Sequence, residues 1–193
     1  MNKKQICRFK VPDLNSLPED IKNKIKEISQ KIGFIPNIFL ALSYRPEEFR
    51  SFFSYHDAIM NKQSGLTKAE KEMIIVATSS QNRCLYCVIA HGAVLRIYSK
   101  SSQLSDQIAT NYRKAEITTK QKMMLDFAIK ICDDSKNIND DDIKKLKKSG
   151  FSDDDIWDIS SITSFFAMSN RLANTFNILP NNEFYEMGRK IFH

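Results

Sequence analysis

Apolar and polar positions recur with the helical period along most of the chain, and no segment shows the strict alternation that marks a strand. Residues typical of helix ends punctuate this pattern. Thr67 and Glu70 form a capping-box pair ahead of an apolar run that ends at Ala77, the same signal spans Ser16–Glu19, and Pro46 suits a first helical position. The pattern predicts helices at about 16–33, 46–61, 67–80, 84–98, 119–133, 140–148, 153–176 and 181–191.

Composition agrees with a helical fold. Glycine and proline number only five each among 193 residues, which is few for a chain of many strands and turns. The hydrophobic fraction of 42% is enough for one core without disulfide support. We predict an all-α helical bundle as a single domain over 1–193. A helical N-terminal arm (1–65) precedes a core (66–193) that carries the candidate chemistry.

Charge and hydropathy narrow the set of partners. The formal net charge is +6, but the basic residues are mostly lysines mixed with acidic clusters such as Asp140–Asp142 and Asp153–Asp155. Such mixing is typical of solvated helix faces, whereas nucleic-acid sites cluster arginines among aromatic residues. No apolar run approaches the length of a membrane span, and none follows the basic start of the chain. We predict a soluble, cytoplasmic protein with no nucleic-acid or membrane partner.

The cysteines indicate the kind of chemistry. Cys84 and Cys87 form a CxxC pair, while Cys7 and Cys132 stand alone. In a reducing compartment this pattern favours redox or metal chemistry over a disulfide framework. A structural zinc site would need a second pair of ligands, and Cys7, Cys132 and His56 are isolated in the sequence. No flavin or nicotinamide motif is present. The sequence therefore predicts a thiol site with neither metal nor cofactor.

A histidine and a carboxylate accompany the CxxC pair. On a helix that begins near Cys84, spacings of three and four residues put Cys84, Cys87 and His91 on one face. Upstream, the capping box uses Glu70, which leaves Glu72 for chemistry. Carboxylate, imidazole and thiol together form a relay that activates a sulfur nucleophile. Taken singly, His91 is more often structural and Glu72 more often a surface charge, so the combination carries the interpretation.

An internal comparison bears on Glu72. The segment Thr67–Ala77 aligns with Thr118–Ala128, which indicates a weak helical repeat, although so short a match also arises by chance. In this register Glu72 falls opposite Met123. The alignment predicts that Glu72 lies against the core. The second copy lacks a CxxC pair and serves as an internal control.

One signature connects these residues to a known family. Glu72, eleven intervening residues, the CxxC pair, three more residues and His91 resemble the E-x11-CxxC-x3-H signature of the AhpD-like alkylhydroperoxidases, within the carboxymuconolactone decarboxylase superfamily. The likeness extends over nearly the whole chain, and segments 33–49, 82–92, 150–159 and 165–178 are similar to the peroxidase-related subgroup. The resemblance implies an all-helical, AhpD-like bundle that assembles into homo-oligomers. It also implies that the protein is a thiol peroxidase, which reduces hydroperoxides without haem or metal.

The resemblance also implies a role for each residue. Cys87 would be the peroxidatic sulfur and Cys84 the resolving one, with Glu72 and His91 as the proton relay. Position alone favours Cys84, because backbone N–H groups at a helix start stabilise a thiolate. We follow the family assignment, because His91 is four residues from Cys87 and takes its proton more directly. Tyr86 departs from the family, since better-studied members carry a histidine between the cysteines, and we expect it to pack.

Other functions stay open. In a peroxidase cycle Cys84 and Cys87 would end as a disulfide. An external dithiol or thioredoxin-like reductant must reduce it, since the chain has no reductant motif of its own. The first alternative is a protein disulfide oxidoreductase or redox sensor, and the second is a non-enzymatic helical module that binds zinc through the CxxC. Phenylalanine-rich segments at 47–60 and 162–172 predict assembly through apolar helix faces and the N-terminal arm.

Overall fold

Helices make up all the regular structure of residues 5–189, the part of the chain that this computed structural model describes. No strand occurs in that range, and the predicted all-α fold class is confirmed. None of these helices combines the length and the apolar character needed to cross a membrane. In chain order they are α1 (Glu19–Ile32), α2 (Asn37–Leu42), α3 (Pro46–Met60), α4 (Lys68–Gln81), α5 (Leu85–Ser99), α6 (Leu104–Asn111), α7 (Thr119–Asp134), α8 (Asp140–Lys148), α9 (Asp153–Thr175) and α10 (Glu183–Glu186), with short 3-10 helices at Leu14–Ser16, Tyr112–Lys114 and Ser135–Asn137.

Capping boxes set the starts of α4, α7, α8 and α9. In each, the capping side chain and a side chain three residues later bond to each other's backbone N–H, so two of the groups that a helix start leaves unpaired are satisfied. Pro46 is the first residue of α3. For α3, α4, α7, α8 and α9 the predicted starts fall within one residue of the observed ones.

The predicted capping box at Ser16 is wrong. Ser16 belongs to a 3-10 helix and its hydroxyl donates to the carbonyl of Asp13, while Pro18 takes the N-cap position of α1 without a capping side chain. The reason is local. Leu17 precedes a proline, which disfavours helical backbone, and Leu17 is extended here.

The last helix is much shorter than the predicted 181–191. It ends at Glu186, and Gly188 has a φ of 72°, which a continuing right-handed helix does not allow. Residues 190 and 191 lie outside the described part of the chain. The apolar residues Phe184 and Met187 pack instead on the α5 region, in one cluster with Tyr86 and Cys87.

Two short helices, α2 and α6, are absent from the predicted set. The α2 sequence NIFLAL is apolar on nearly every side, and in α6 only Leu104 and Ile108 supply the buried apolar stripe. Neither gives the repeated apolar periodicity from which a helix is inferred. Tertiary packing stabilises both.

Helix α4 lies at the centre of the bundle and packs against α5, α7 and α9. Its residues Ile74, Ile75 and Val76 are fully buried at successive positions, which happens only when a helix is covered on all sides. Polar residues within 71–79 of α4 are therefore buried as well, and they need partners.

The N-terminal helices pack onto the core. Ile21 of α1 is buried in a cluster with Phe49 and Phe53 of α3. Phe52 of α3 in turn meets Phe165 of α9, with ring centres 4.7 Å apart. These contacts bring residues of α1 and α3 to the same cavity as residues of α4 and α5.

Candidate active site

The CxxC pair lies at the start of α5, directly after a tight reversal from α4. Arg83 adopts a φ of 51°, and the backbone N–H of Cys84 then donates to the carbonyl of Ser79 at 2.9 Å. Cys84 is the N-cap residue of α5, and Cys87 lies in its first turn. Both are free cysteines and both are buried.

Glu72 and His91 are joined by a hydrogen bond. His91 Nδ1 lies 2.8 Å from Glu72 Oε2, and the glutamate side chain is only 5% exposed. The pair forms because α4 and α5 run side by side, which brings together residues that are 19 positions apart. The His91 ring also packs edge-on against Phe166 of α9, with centres 4.7 Å apart. The burial of Glu72 predicted from its alignment with Met123 is observed.

A cavity of about 460 Å³ joins these groups. Cys87, His91 and Glu72 all line it, whereas Cys84 does not. Among residues 5–189 no hydrogen bond links His91 to either sulfur. The relay and the dithiol are connected by the cavity that His91 and Cys87 both line. Six phenylalanines give the cavity its apolar walls: Phe39, Phe52, Phe53, Phe165, Phe166 and Phe184.

The two thiols differ in acidity. The adjacent Cys87 thiol stabilises a thiolate on Cys84, with help from the Cys87 backbone N–H, and lowers the pKa of Cys84 to about 7. The pKa of Cys87 is raised well above its usual range by its interaction with Cys84 and by burial. The dithiol therefore loses one proton near neutrality and holds the second. The negative charge rests on Cys84, while the thiol that faces the cavity is Cys87.

Two residues of α9 that the sequence analysis did not single out complete the site. Asn170 is fully buried, donates to Ser79 Oγ at 2.9 Å and accepts from Asn82 at 3.0 Å. Its hydrogen bonding lowers the pKa of both Cys84 and Cys87, although other effects dominate at Cys87. Ser169 Oγ lies 4.0 Å from Cys87 Sγ. A Ser-Asn pair inside the apolar run of α9 is the sequence signal that could have identified them.

Comparison with known proteins shows the family of this chain. The model of the carboxymuconolactone decarboxylase family matches residues 46–119. The crystal structure of an uncharacterized peroxidase-related protein from Ralstonia eutropha, described as an alkylhydroperoxidase AhpD core, is 54% identical and has a TM-score of 0.96, covering 98% of this chain and 100% of its own. The chain belongs to the AhpD-like group of the carboxymuconolactone decarboxylase superfamily.

More distant solved structures share the fold. A peroxidase-related protein from a Silicibacter species is 36% identical with a TM-score of 0.92, over 98% of this chain and 99% of its own. A debrominase is 14% identical with a TM-score of 0.73, over 96% of this chain and 97% of its own, so its likeness concerns the fold alone. Among curated proteins, no significant match to this chain is found.

Tyr86, one of the two residues between the AhpD-like cysteines, is buried. Its hydroxyl accepts a hydrogen bond from the backbone N–H of Ile38 at 3.4 Å, and its ring meets Phe184 edge-on at 6.3 Å. Burial raises the pKa of Tyr86 far above neutrality, so the phenol stays protonated. These contacts fit the expected packing role.

Within residues 5–189, neither Cys7 nor Cys132 forms a hydrogen bond to Cys84 or Cys87, although Cys7 lies in the same buried cluster as both. The Cys7 thiol donates to the carbonyl of Phe9. Cys132 lies on α7, and burial raises its pKa to about 11. Within residues 5–189 no group of three or more histidine, cysteine or acidic side chains is arranged to hold a metal ion. His56 does line the cavity, although it looked isolated in the sequence.

Proposed function

We propose that the protein is a thiol-dependent peroxidase that reduces alkyl hydroperoxides or hydrogen peroxide through a dithiol/disulfide cycle of Cys84 and Cys87. The observation that carries the proposal is that a buried thiol, Cys87, shares one cavity with the hydrogen-bonded pair of His91 and Glu72. Membership of the AhpD-like group supports it.

In the first step, Cys87 attacks the distal oxygen of the hydroperoxide R–O–O–H. The proton of Cys87 moves to the Cys84 thiolate as the new S–O bond forms and the O–O bond breaks. Cys87 becomes a sulfenic acid, so its sulfur is oxidised by two electrons. The leaving alkoxide takes the proton that the dithiol lost earlier and that the His91–Glu72 pair holds, which gives the alcohol R–OH.

In the second step, the Cys84 thiol condenses with the Cys87 sulfenic acid. A disulfide forms and water leaves, so the overall change is one dithiol and one hydroperoxide to one disulfide, one alcohol and one water. The oxidised protein then needs an external dithiol or thioredoxin-like reductant. The exposed Leu85, between the two cysteines, offers such a partner an apolar contact next to the disulfide.

The walls of the cavity favour a substrate with an apolar body. A space of about 460 Å³ lined by phenylalanines is much larger than hydrogen peroxide needs. Burying apolar substrate surface contributes about 25 cal/mol per Å². We therefore expect organic hydroperoxides to react faster than hydrogen peroxide.

Assembly and location form part of the same proposal. Several large apolar side chains are exposed in the single chain, among them Trp157 at 73% and Tyr55 at 50%, which supports a homo-oligomer. Sedimentation that gives only a monomer at micromolar concentration would contradict the proposed homo-oligomer. A CxxC pair with two lone cysteines, in place of a disulfide framework, supports a reducing, cytoplasmic location, and fractionation of the source cells tests it.

A second candidate function is exchange with protein disulfides. The low pKa of Cys84 favours it, because a thiolate near neutrality is what attacks a disulfide. The cavity favours the peroxidase instead, since the thiol that lines it is Cys87 and not the more acidic Cys84.

Single-turnover oxidation of the reduced protein separates the two functions. The oxidants are cumene hydroperoxide, hydrogen peroxide and an oxidised thioredoxin-like protein. We expect cumene hydroperoxide to react fastest. A disulfide that reacts faster than both peroxides would make the protein an oxidoreductase of protein thiols and would overturn the peroxidase.

A further inference from the structure

A second histidine, His56 of α3, faces the cavity that holds the candidate relay. The ring of Phe166 packs near both imidazoles, with its centre 4.7 Å from that of His91 and 6.4 Å from that of His56. His56 also packs near Phe165, at 5.9 Å, and Phe53, at 6.4 Å. The N-terminal helices thus bring a titratable group to the site built by α4 and α5.

The hydrogen bonds of His56 fix which ring nitrogen carries the proton. Nδ1 lies 3.1 Å from Asp57 Oδ1, and Lys24 Nζ donates to Asp57 Oδ2 at 2.7 Å. Burial opposes ionisation of Asp57, but the hydrogen bonds from Lys24 and His56, together with the charges of these two residues, outweigh it and lower the pKa of Asp57. The aspartate is therefore an acceptor at neutral pH, and Nδ1 carries the hydrogen that it accepts.

The other ring nitrogen, Nε2, lacks a hydrogen-bond partner in the described part of the chain. No residue among 5–189 forms a hydrogen bond to His56 Nε2, although the residue lines the cavity. Burial lowers the pKa of His56, and positive charge on His91 lowers it further, against the opposing effects of Asp57 and Glu72. The imidazole is therefore neutral at pH 7. Its Nε2 presents a lone pair, which can accept a hydrogen bond but cannot donate one.

We propose that His56 Nε2 accepts the hydroxyl hydrogen of the substrate in the cavity, and so orients the terminal –O–O–H group of a hydroperoxide towards Cys87. The proposal rests on the proposed peroxidase function for the identity of the substrate. The hydroxyl hydrogen stays on the distal oxygen, which becomes the hydroxyl of the sulfenic acid. His56 therefore binds the substrate and neither gains nor loses a proton, whereas His91 returns a proton to the alkoxide. Asp57 and Lys24 are positioning residues that hold the tautomer.

Substitution distinguishes this role from simple packing. His56→Phe keeps an aromatic ring against Phe53, Phe165 and Phe166 but removes both nitrogens. The matched control is Tyr55→Phe, which removes one polar group from the neighbouring residue of α3 that does not line the cavity. We expect His56→Phe to slow single-turnover oxidation by cumene hydroperoxide by about twofold to tenfold, the range for one net hydrogen bond. The control should keep the wild-type rate, and the thiolate titration of both variants should be unchanged.

Ligand binding tests the same contact without peroxide chemistry. Cumyl alcohol carries a hydroxyl on the same apolar body as cumene, which has none. Wild-type protein should bind the alcohol more tightly than cumene, and this preference should disappear in His56→Phe while Tyr55→Phe retains it. Equal binding of the two ligands by the wild type, a preference that survives in His56→Phe, or a wild-type oxidation rate in folded His56→Phe would overturn the proposal. Loss of the preference in His56→Phe, together with wild-type protein that does not react with hydroperoxides, would refute the peroxidase alone.

Discussion

Helices α4 and α7 begin alike and lie side by side, yet only α4 carries candidate chemistry. Thr67 with Glu70 and Thr118 with Gln121 form equivalent capping boxes. The two boxes are linked, since Gln121 Nε2 donates to Glu70 Oε1 at 3.3 Å. The capping box therefore sets where a helix begins and has no bearing on what the helix does.

The difference lies five residues after each capping residue. In α4 this position holds the buried Glu72, and in α7 it holds the half-buried Met123. A buried carboxylate is unfavourable unless it is hydrogen-bonded. Glu72 has His91 of α5 as its partner, whereas Met123 needs none. The buried pair, and not the helix repeat, is what points to function.

The cysteines give the largest expected effect. Cys87→Ser or Cys84→Ser should lower peroxide turnover by about a thousandfold or more, because each removes a sulfur on which the cycle depends. Cys132→Ser, in α7, is the matched control and should leave turnover unchanged. Thiol counting after peroxide treatment should show two thiols lost from the wild type. If Cys84→Ser and Cys87→Ser each still lose two, the pairing is wrong.

The next effect compares the two helices directly. Glu72→Gln should keep the hydrogen bond to His91 and the fold, but the amide cannot hold a proton, so turnover should fall by about a hundredfold. Met123→Gln places the same side chain at the equivalent position of α7 and should leave turnover within about twofold. Steady-state kinetics with cumene hydroperoxide measures both. Equal losses of turnover in Glu72→Gln and Met123→Gln would contradict the proton-relay role of Glu72.

A third comparison concerns pH. The pKa of Cys84 is lowered to about 7 and that of Cys132 is raised to about 11. Thiolate absorbance should therefore rise in one step near pH 7, and this step should be missing in Cys84→Ser but present in Cys132→Ser. The sign follows from the ionisation: oxidation by peroxide needs the charged dithiol, so its rate should fall about tenfold for each pH unit below 7. A rate that is flat between pH 5 and pH 8 would contradict the assigned acidity.

The smallest effect is the one that the helices should share. Thr67→Ala and Thr118→Ala each remove one side of a capping box and should each lower the free energy of unfolding by about 1 kcal/mol. Chemical denaturation measures the loss, and peroxide turnover at low temperature should stay at the wild-type level in both. A turnover defect confined to Thr67→Ala would mean that the start of α4 takes part in the chemistry.

Local signals account for what the sequence predicted. Capping boxes, Pro46 and Gly33 mark helix ends through interactions within a few residues, so α3, α4 and α9 were located closely. The sequence alone indicates a candidate site, because the spacing of its residues is set within two adjacent helices: Glu72, Cys84, Cys87 and His91. The start of α1 was misplaced where Pro18 overrides an apparent capping residue.

Long-range packing accounts for what the sequence missed. Asn170 is 83 or more residues from the cysteines it supports, and no period in the sequence places α9 against α5. His56 looked isolated because its neighbours across the cavity, His91 and Phe166, come from other helices. Because α4 is buried on all sides over residues 71–79, its sequence pattern does not reveal the face on which Glu72 lies. Each of these features depends on how the helices are arranged in space.

The most direct test of the central claim is peptide mapping of the reduced protein after treatment with one equivalent of cumene hydroperoxide. The account predicts one disulfide, between Cys84 and Cys87, with one cumyl alcohol formed per disulfide and with Cys7 and Cys132 still reduced. Intact hydroperoxide beside a fully reduced protein, or a disulfide that involves Cys7 or Cys132, would contradict it.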